Sequence, residues 1–299
     1  MNNSHKISHY IFLVIGVLAI STSAIFVKLS TAPAPIIATY RLCFSTIIIL
    51  PALLFNKTCL LEIRKLKLKQ WGLVVSSGLF LGVHYILWFE SLRFTSVASS
   101  TVLVTMQPLF AFIGSYFLFG ERLKKLAIFG GILSIFGSCV IGWGDFQIGG
   151  PALIGDILAL LGAATITIYF LIGQHLRKSL SLITYVFICY LSSSVFLLGY
   201  SITLKYPLIG YPKGDWLCFF GLAFISTILG QTILNWLIKW LSTSTISMSI
   251  LGEPIGTCIL AYFILGQVIS YNQIIGSIII LIGITIFLMC KMTKSSRRK

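Results

Sequence analysis

SVASSTVLVTMQPLFAFIGSYFLFGERLKKLAIFGGILSIFG, residues 96–137, returns without a gap 146 positions later as STSTISMSILGEPIGTCILAYFILGQVISYNQIIGSIIILIG, residues 242–283. Pro108 falls on Pro254, Tyr116 and Phe117 on Tyr262 and Phe263, Gly120 on Gly266, Gly130 on Gly276 and Gly137 on Gly283. Most of the shared residues shape the backbone. Proline and glycine mark where a chain kinks or approaches another closely, so their agreement is harder to obtain from apolar composition than a match of leucines. Just before the prolines, Gln107 stands where the copy has Glu253.

The repeat sits in a chain too apolar for a soluble domain: 57% of its 299 residues are hydrophobic and 10% charged. That composition describes a polytopic membrane protein. Apolar runs long enough to cross the hydrocarbon fall at about 10–30, 35–55, 71–92, 96–119, 125–144, 152–172, 182–204, 216–238, 243–265 and 271–291, ten spans in all. Of the 22 lysines and arginines, 17 lie in segments on the side of the N-terminus and four (Lys28, Arg93, Lys205 and Lys213) on the other, which places both termini in the cytoplasm. The net charge of +15 therefore reports membrane orientation, not nucleic-acid binding. The seven cysteines are odd in number and sit mostly inside apolar runs, so they read as small buried hydrophobes and not as disulfides or metal ligands.

A repeat of 146 residues holds five spans, an odd number, so the second copy enters the bilayer upside down. The expected fold is all-α, ten transmembrane helices as two inverted five-helix repeats, residues 1–147 and 148–299, joined by a short turn between Gly144 and Pro151. Inverted repeats of this kind build transporters whose site lies at the midplane between the halves.

The LFGERLKKLAIFGGILSIFGSCVIG stretch from Leu118, the GDILALLGAATITIYFLIGQHLRK stretch from Gly155, and Glu253-Pro254 followed by Gly266 resemble the drug/metabolite transporter superfamily, EamA branch. The resemblance covers nearly the whole chain. It implies carriage of amino acids, metabolites or drugs, mostly outward, through a cavity whose aromatic lining favours bulky or aromatic solutes. One departure stands out: Gln267 replaces the acidic residue that follows the last glycine of the family's motif, and Glu121 keeps it in the first half.

Polar side chains at bilayer depth cost on the order of 2.5–3.5 kcal/mol when charged, so each needs a reason. Glu253 and its mate Gln107 fall near the centres of spans 9 and 4, beside Pro108 and Pro254, which are expected to kink their helices and free a carbonyl one turn earlier. His84 and Trp88 share a helical face in span 3 with Tyr85 beside them. The 146-residue offset sets Tyr85 on Gln231 and Phe89 on Asn235 in span 8, so two faces related by the repeat are expected to line one central cavity. Arg41 and Lys28 read as interfacial anchors, Glu90 and Arg93 as a surface ion pair, and Tyr169 as one more bundle tyrosine.

The expected function is that of a secondary transporter, an exporter of small organic solutes such as amino acids or related metabolites across the plasma membrane, working by alternating access. A multidrug or a nucleoside or cofactor transporter of the same fold is the alternative. The expected partners are a small-molecule substrate, an aromatic or bulky amino acid foremost, and the lipid bilayer. Proton coupling, facilitated diffusion, and a monomer or homodimer all stay open. No Walker A or HExxH motif occurs in the sequence, and only Glu253 among seven carboxylates lies deep, so ATP hydrolysis, an intramembrane enzyme, a metal and a cofactor are not expected.

Overall fold

A computed structural model describes residues 3–143 and 150–296; the expected division at 147/148 lies outside the described residues. Among the described residues ten helices are long and apolar enough to cross a membrane: Ser8–Leu29, Ala34–Leu54, Leu68–Phe94, Ser99–Phe119, Lys125–Gly142, Gly150–Leu176, Leu182–Thr203, Lys213–Leu237, Thr243–Leu265 and Tyr271–Lys291, spans 1 to 10 below. In hydrocarbon every backbone amide must be satisfied within its own segment, which leaves the helix as the only conformation for such runs. Each span has a greasy outer stripe and a packed inner one. In span 1, Ile11, Val14 and Leu18 are exposed for lipid, and Leu13, Val17 and Ile20 are buried.

Spans 5 and 10 prove the inversion. Gly130 lies against Gly283 and Gly137 against Gly276, so that a Cβ on Gly130 would come 2.7 Å from the Gly283 carbonyl oxygen and one on Gly137 2.8 Å from that of Gly276. At the crossing, Ser134 Oγ donates to the carbonyl of Ile280 at 3.3 Å, a residue 146 positions on. A residue touches its own repeat mate only on the axis relating the two copies, and glycine lets the backbones meet there. Spans 2 and 7, also repeat mates, pack together, with Thr46 and Ser194 hydroxyls 3.3 Å apart. Gly78 of span 3 lies against span 7, where a Cβ would come 2.5 Å from the Cys189 carbonyl.

Spans 4 and 9 are broken, not kinked. Span 4 runs as helix over Val97–Val104 and again over Gln107–Phe119, and span 9 over Thr243–Ile250 and again over Glu253–Leu265. Pro108 and Pro254 sit in the first turn of each second half, where a missing N–H costs nothing, so the prolines restart the helices instead of bending continuous ones. Both second halves therefore begin inside the bundle, with the positive end of the helix dipole at a polar residue, Gln107 or Glu253. Each half ends on a glycine in the left-handed conformation, Gly120 at φ 63° and Gly266 at φ 66°, which accounts for those repeat positions. Span 8 differs from its mate: residues Leu222–Gln231 wind as a π-helix, a form that concentrates at functional sites.

Candidate functional site

The broken helix starts of spans 4 and 9 open onto one cavity of about 30 Å³ at the middle of the bundle. Its lining includes His84, Tyr85 and Trp88 from span 3, Gln107 from span 4, Gln231 from span 8 and Glu253 from span 9. Six of the seven side chains expected to bind solute are thus brought together. His84 and Trp88 stack with ring centroids 5.8 Å apart at 25°. His84 Nδ1 donates to the Gly162 carbonyl at 2.9 Å, which leaves Nε2 an acceptor. Tyr85 Oη, Trp88 Nε1, Gln107 Oε1 and Gln231 Nε2 are buried without a hydrogen-bond partner. Four orphaned polar atoms around one cavity are costly unless something enters to pair with them.

The seventh, Asn235, is fully buried but stands one turn beyond the lining, toward the face that carries the chain's ends. Its Nδ2 donates to Tyr169 Oη at 2.6 Å and to the Gln231 carbonyl at 2.8 Å, and Arg177 Nε donates to its carbonyl at 3.2 Å. The repeat explains the displacement. Its mate Phe89 is also one turn from the cavity, on the opposite side, because an inverted axis carries matched helices away from the centre in opposite directions. Tyr169 is thereby part of the wall below the cavity.

Arg41 overturns its expected place at the interface. It is 2% exposed and lines the central cavity. Nε donates to Thr227 Oγ1 at 2.8 Å and Nη1 to Ser23 Oγ at 3.2 Å, and the guanidinium lies 4.2 Å from the centre of the Tyr85 ring. Counting residues from the end of span 2 suggests snorkelling; the hydroxyls that hold Arg41 inside come from spans 1 and 8, and Thr227 is presented by the π-helical segment. Glu253, 5% exposed, shares the cavity with Arg41 but forms no direct ion pair with it; the ion pairs among the described residues include Arg93 with Glu90, at 3.1 Å as expected, and Lys291 with Glu121.

A profile of the EamA-like transporter family matches residues 7–143 and again residues 153–289. The chain belongs to the EamA-like transporter family. Its relatives include the riboflavin transporter ImpX of Fusobacterium nucleatum, 26% identical over 79% of this chain and 83% of that one. Another is a protein of Archaeoglobus fulgidus named only as a transporter, 24% identical over 92% of this chain and 94% of that one. One solved crystal structure superposes with a TM-score of 0.76, covering 94% of this chain and 98% of the other at 19% identity, and so shares the fold. The family and these relatives are transporters, not enzymes.

In this EamA-like chain the face bearing the chain's ends is closed by a network that joins the two repeats. Glu121, after span 4, accepts from Ser242 Oγ at 3.0 Å and Ser244 Oγ at 2.8 Å at the start of span 9, and pairs with Lys291 at the end of span 10. Burial alone raises the Glu121 carboxyl, but the Lys291 charge and the serine hydrogen bonds outweigh it and hold the group below its ordinary value of 4.5. A lowered folded-state value means the stabilisation is fully present above 4.5 and is lost as pH falls through the folded value. Glu121→Gln is therefore expected to lower the melting temperature of the purified protein at pH 7, and its melting curve to converge with that of the parent well below pH 4.5. Equal melting at pH 7 would show that the network adds nothing. Glu62 secures the same face by accepting from Ser181 N at 3.0 Å and Oγ at 2.6 Å, at the start of span 7.

Proposed function

We propose that this protein is a secondary transporter that exports aromatic amino acids, or closely related zwitterionic metabolites, across the plasma membrane, with both termini cytoplasmic. One observation carries the substrate class: Arg41 and Glu253 face one cavity without pairing, beside the stacked rings of His84 and Trp88. A buried guanidinium and a buried carboxyl that do not meet can each find a partner on one solute that carries a carboxylate and an ammonium. An α-carboxylate pairs with the forked guanidinium, an α-ammonium with the carboxylate, and a planar side chain stacks on the ring face.

The export direction rests on the family resemblance, and the orientation on the bias of lysine and arginine. Alternating access is the rocking of the inverted halves about the axis of spans 5 and 10, with the Glu121 network broken in the inward-open state. Proton coupling through Glu253, a buried carboxyl at the solute site, is part of the same reading.

A second reading has its own support. The riboflavin transporter relative and the unpaired Trp88 Nε1, Gln107 Oε1 and Gln231 Nε2 suit the hydrogen-bonding edge of a neutral planar heterocycle.

The test is efflux from preloaded cells expressing the chain, with tryptophan, phenylalanine, threonine, cysteine and riboflavin, against Trp88→Ala. Tryptophan or phenylalanine efflux that falls at least tenfold in Trp88→Ala supports the amino-acid reading. Riboflavin efflux alone selects the second, and efflux of none of them refutes both. A pH gradient is expected to accelerate efflux in the parent and not in Glu253→Gln; equal acceleration in both removes Glu253 from the coupling.

A further inference from the structure

The central cavity, at about 30 Å³, has room for water and not for an amino acid. A second recess of about 560 Å³ opens on the face opposite the chain's ends. That volume lies in the range of roughly 300–1,000 Å³ typical of small-molecule sites. In this conformation the recess is large enough for an organic solute.

Its floor is related to the central site turn by turn. Val27, Ile37 and Phe89 form it, all buried. Each stands four residues, about 6 Å along its helix, from a residue lining the central cavity: Val27 from Ser23, Ile37 from Arg41 and Phe89 from Tyr85. Those three apolar side chains therefore stand between the two spaces along spans 1, 2 and 3. The Phe89 ring is 5.2 Å from Trp88 and 5.5 Å from Tyr85, so the floor is continuous with the aromatic wall below.

The charges around the recess are nearly all committed. Arg93 pairs with Glu90 at 3.1 Å. Asp215 accepts from Ser30 Oγ, Thr31 N and Thr31 Oγ1, each at 2.8 Å, and so ties the rim to span 8. Lys28 lines the recess, is exposed, and has no counter-ion among the described residues. An ammonium left unpaired beside a solute-sized recess of half-apolar walls suits an organic anion.

We propose that this vestibule is a second solute station, which holds carboxylate-bearing organic molecules through Lys28 and exchanges them with the central cavity across Val27, Ile37 and Phe89. The amino-acid substrate at this station rests on the function proposed above; the carboxylate chemistry rests on Lys28.

The test places a reporter thiol on the vestibule wall by Leu92→Cys in the full chain, purified into nanodiscs. Maleimide labelling is followed against the parent chain, whose own cysteines set the background. Phenylalanine and phenylacetate are expected to slow labelling at position 92 at least threefold, and 2-phenylethylamine, which lacks the carboxylate, to leave it unchanged. Lys28→Gln is expected to abolish the protection, and Glu253→Gln to leave phenylacetate protection intact. Labelling that no carboxylate slows, protection that survives Lys28→Gln, or protection lost in Glu253→Gln would each overturn the station. Phenylacetate protection in a chain that exports no amino acid keeps the station and removes the amino-acid reading. Amino-acid efflux without protection does the reverse.

Discussion

Arg41→Leu is expected to reduce transport of a carboxylate-bearing substrate at least a hundredfold. Removing one partner of a buried charged group costs about 3–5 kcal/mol, and each 1.4 kcal/mol is about a factor of ten. In the parent, Arg41 is buried, held by Thr227 and Ser23, and stacked on Tyr85, so its guanidinium meets the solute already oriented. Arg41→Lys keeps the charge but loses both the fork and the stack, and an intermediate loss is expected. A purely structural arginine would predict something else. Flux of carboxylate and of decarboxylated solutes would then fall together, in step with melting temperature. The decisive readout is therefore the ratio of phenylalanine to 2-phenylethylamine flux in Arg41→Leu protein that still elutes as one species. An unchanged ratio would remove Arg41 from recognition.

The second large effect concerns the fold. Gly283→Leu is expected to leave little detergent-stable protein. A Cβ at position 283 would lie 2.3 Å from Ser134 Oγ and 2.6 Å from the Gly130 carbonyl oxygen, and the leucine body beyond it would enter span 5. Overpacking a tight contact costs typically about 1–3 kcal/mol and sometimes more, and here the obstacle includes backbone, which cannot change rotamer. The effect should also propagate, because spans 5 and 10 form the contact on which the two repeats are related. Size-exclusion and thermal melting of Gly283→Leu measure it directly. A wild-type melting profile would mean that the crossing tolerates several ångströms of separation. The same change at Gly199, where a Cβ meets nothing within 4 Å, is the control expected to be mild.

The pair Gly16 and Gly162 shows how far the repeat reaches. They are related by the same 146-residue offset, in spans 1 and 6. Gly162 packs against Trp88, and Gly16 against Leu234, the repeat mate of Trp88. Extending the offset back before Ser96 would have found them, because close approach leaves a glycine in both copies. The Gly162 carbonyl that receives His84 is one consequence of that approach. Lys291, the cation facing Glu121, had no comparable signal: its place at the end of span 10 reads as one more positive-inside residue until the helix is folded back to the start of span 9.

Span number, inversion and the polar residues at the middle of spans 3, 4, 8 and 9 follow from the sequence by itself, because each depends on local chemistry. Hydrophobic length sets a crossing, an odd number of crossings inverts a repeat, and proline or a carboxyl at bilayer depth marks a break wherever the rest of the chain lies. That Arg41 joins the cavity and Asn235 leaves it was decided only by the tertiary structure. Arg41 and Asn235 illustrate the reason from both sides. Arg41 is drawn inward by the Thr227 hydroxyl on span 8, 186 residues away, and by Ser23 on span 1, and no window along span 2 contains those partners. Asn235 has the spacing of a lining residue and loses the place because its level along the axis, and the hydroxyl of Tyr169 that holds it there, come from the crossing of spans 6 and 8. The vestibule was hidden for the same reason. Its walls come from spans 1, 2 and 3 and from Tyr206, and a recess exists only where separate helices diverge.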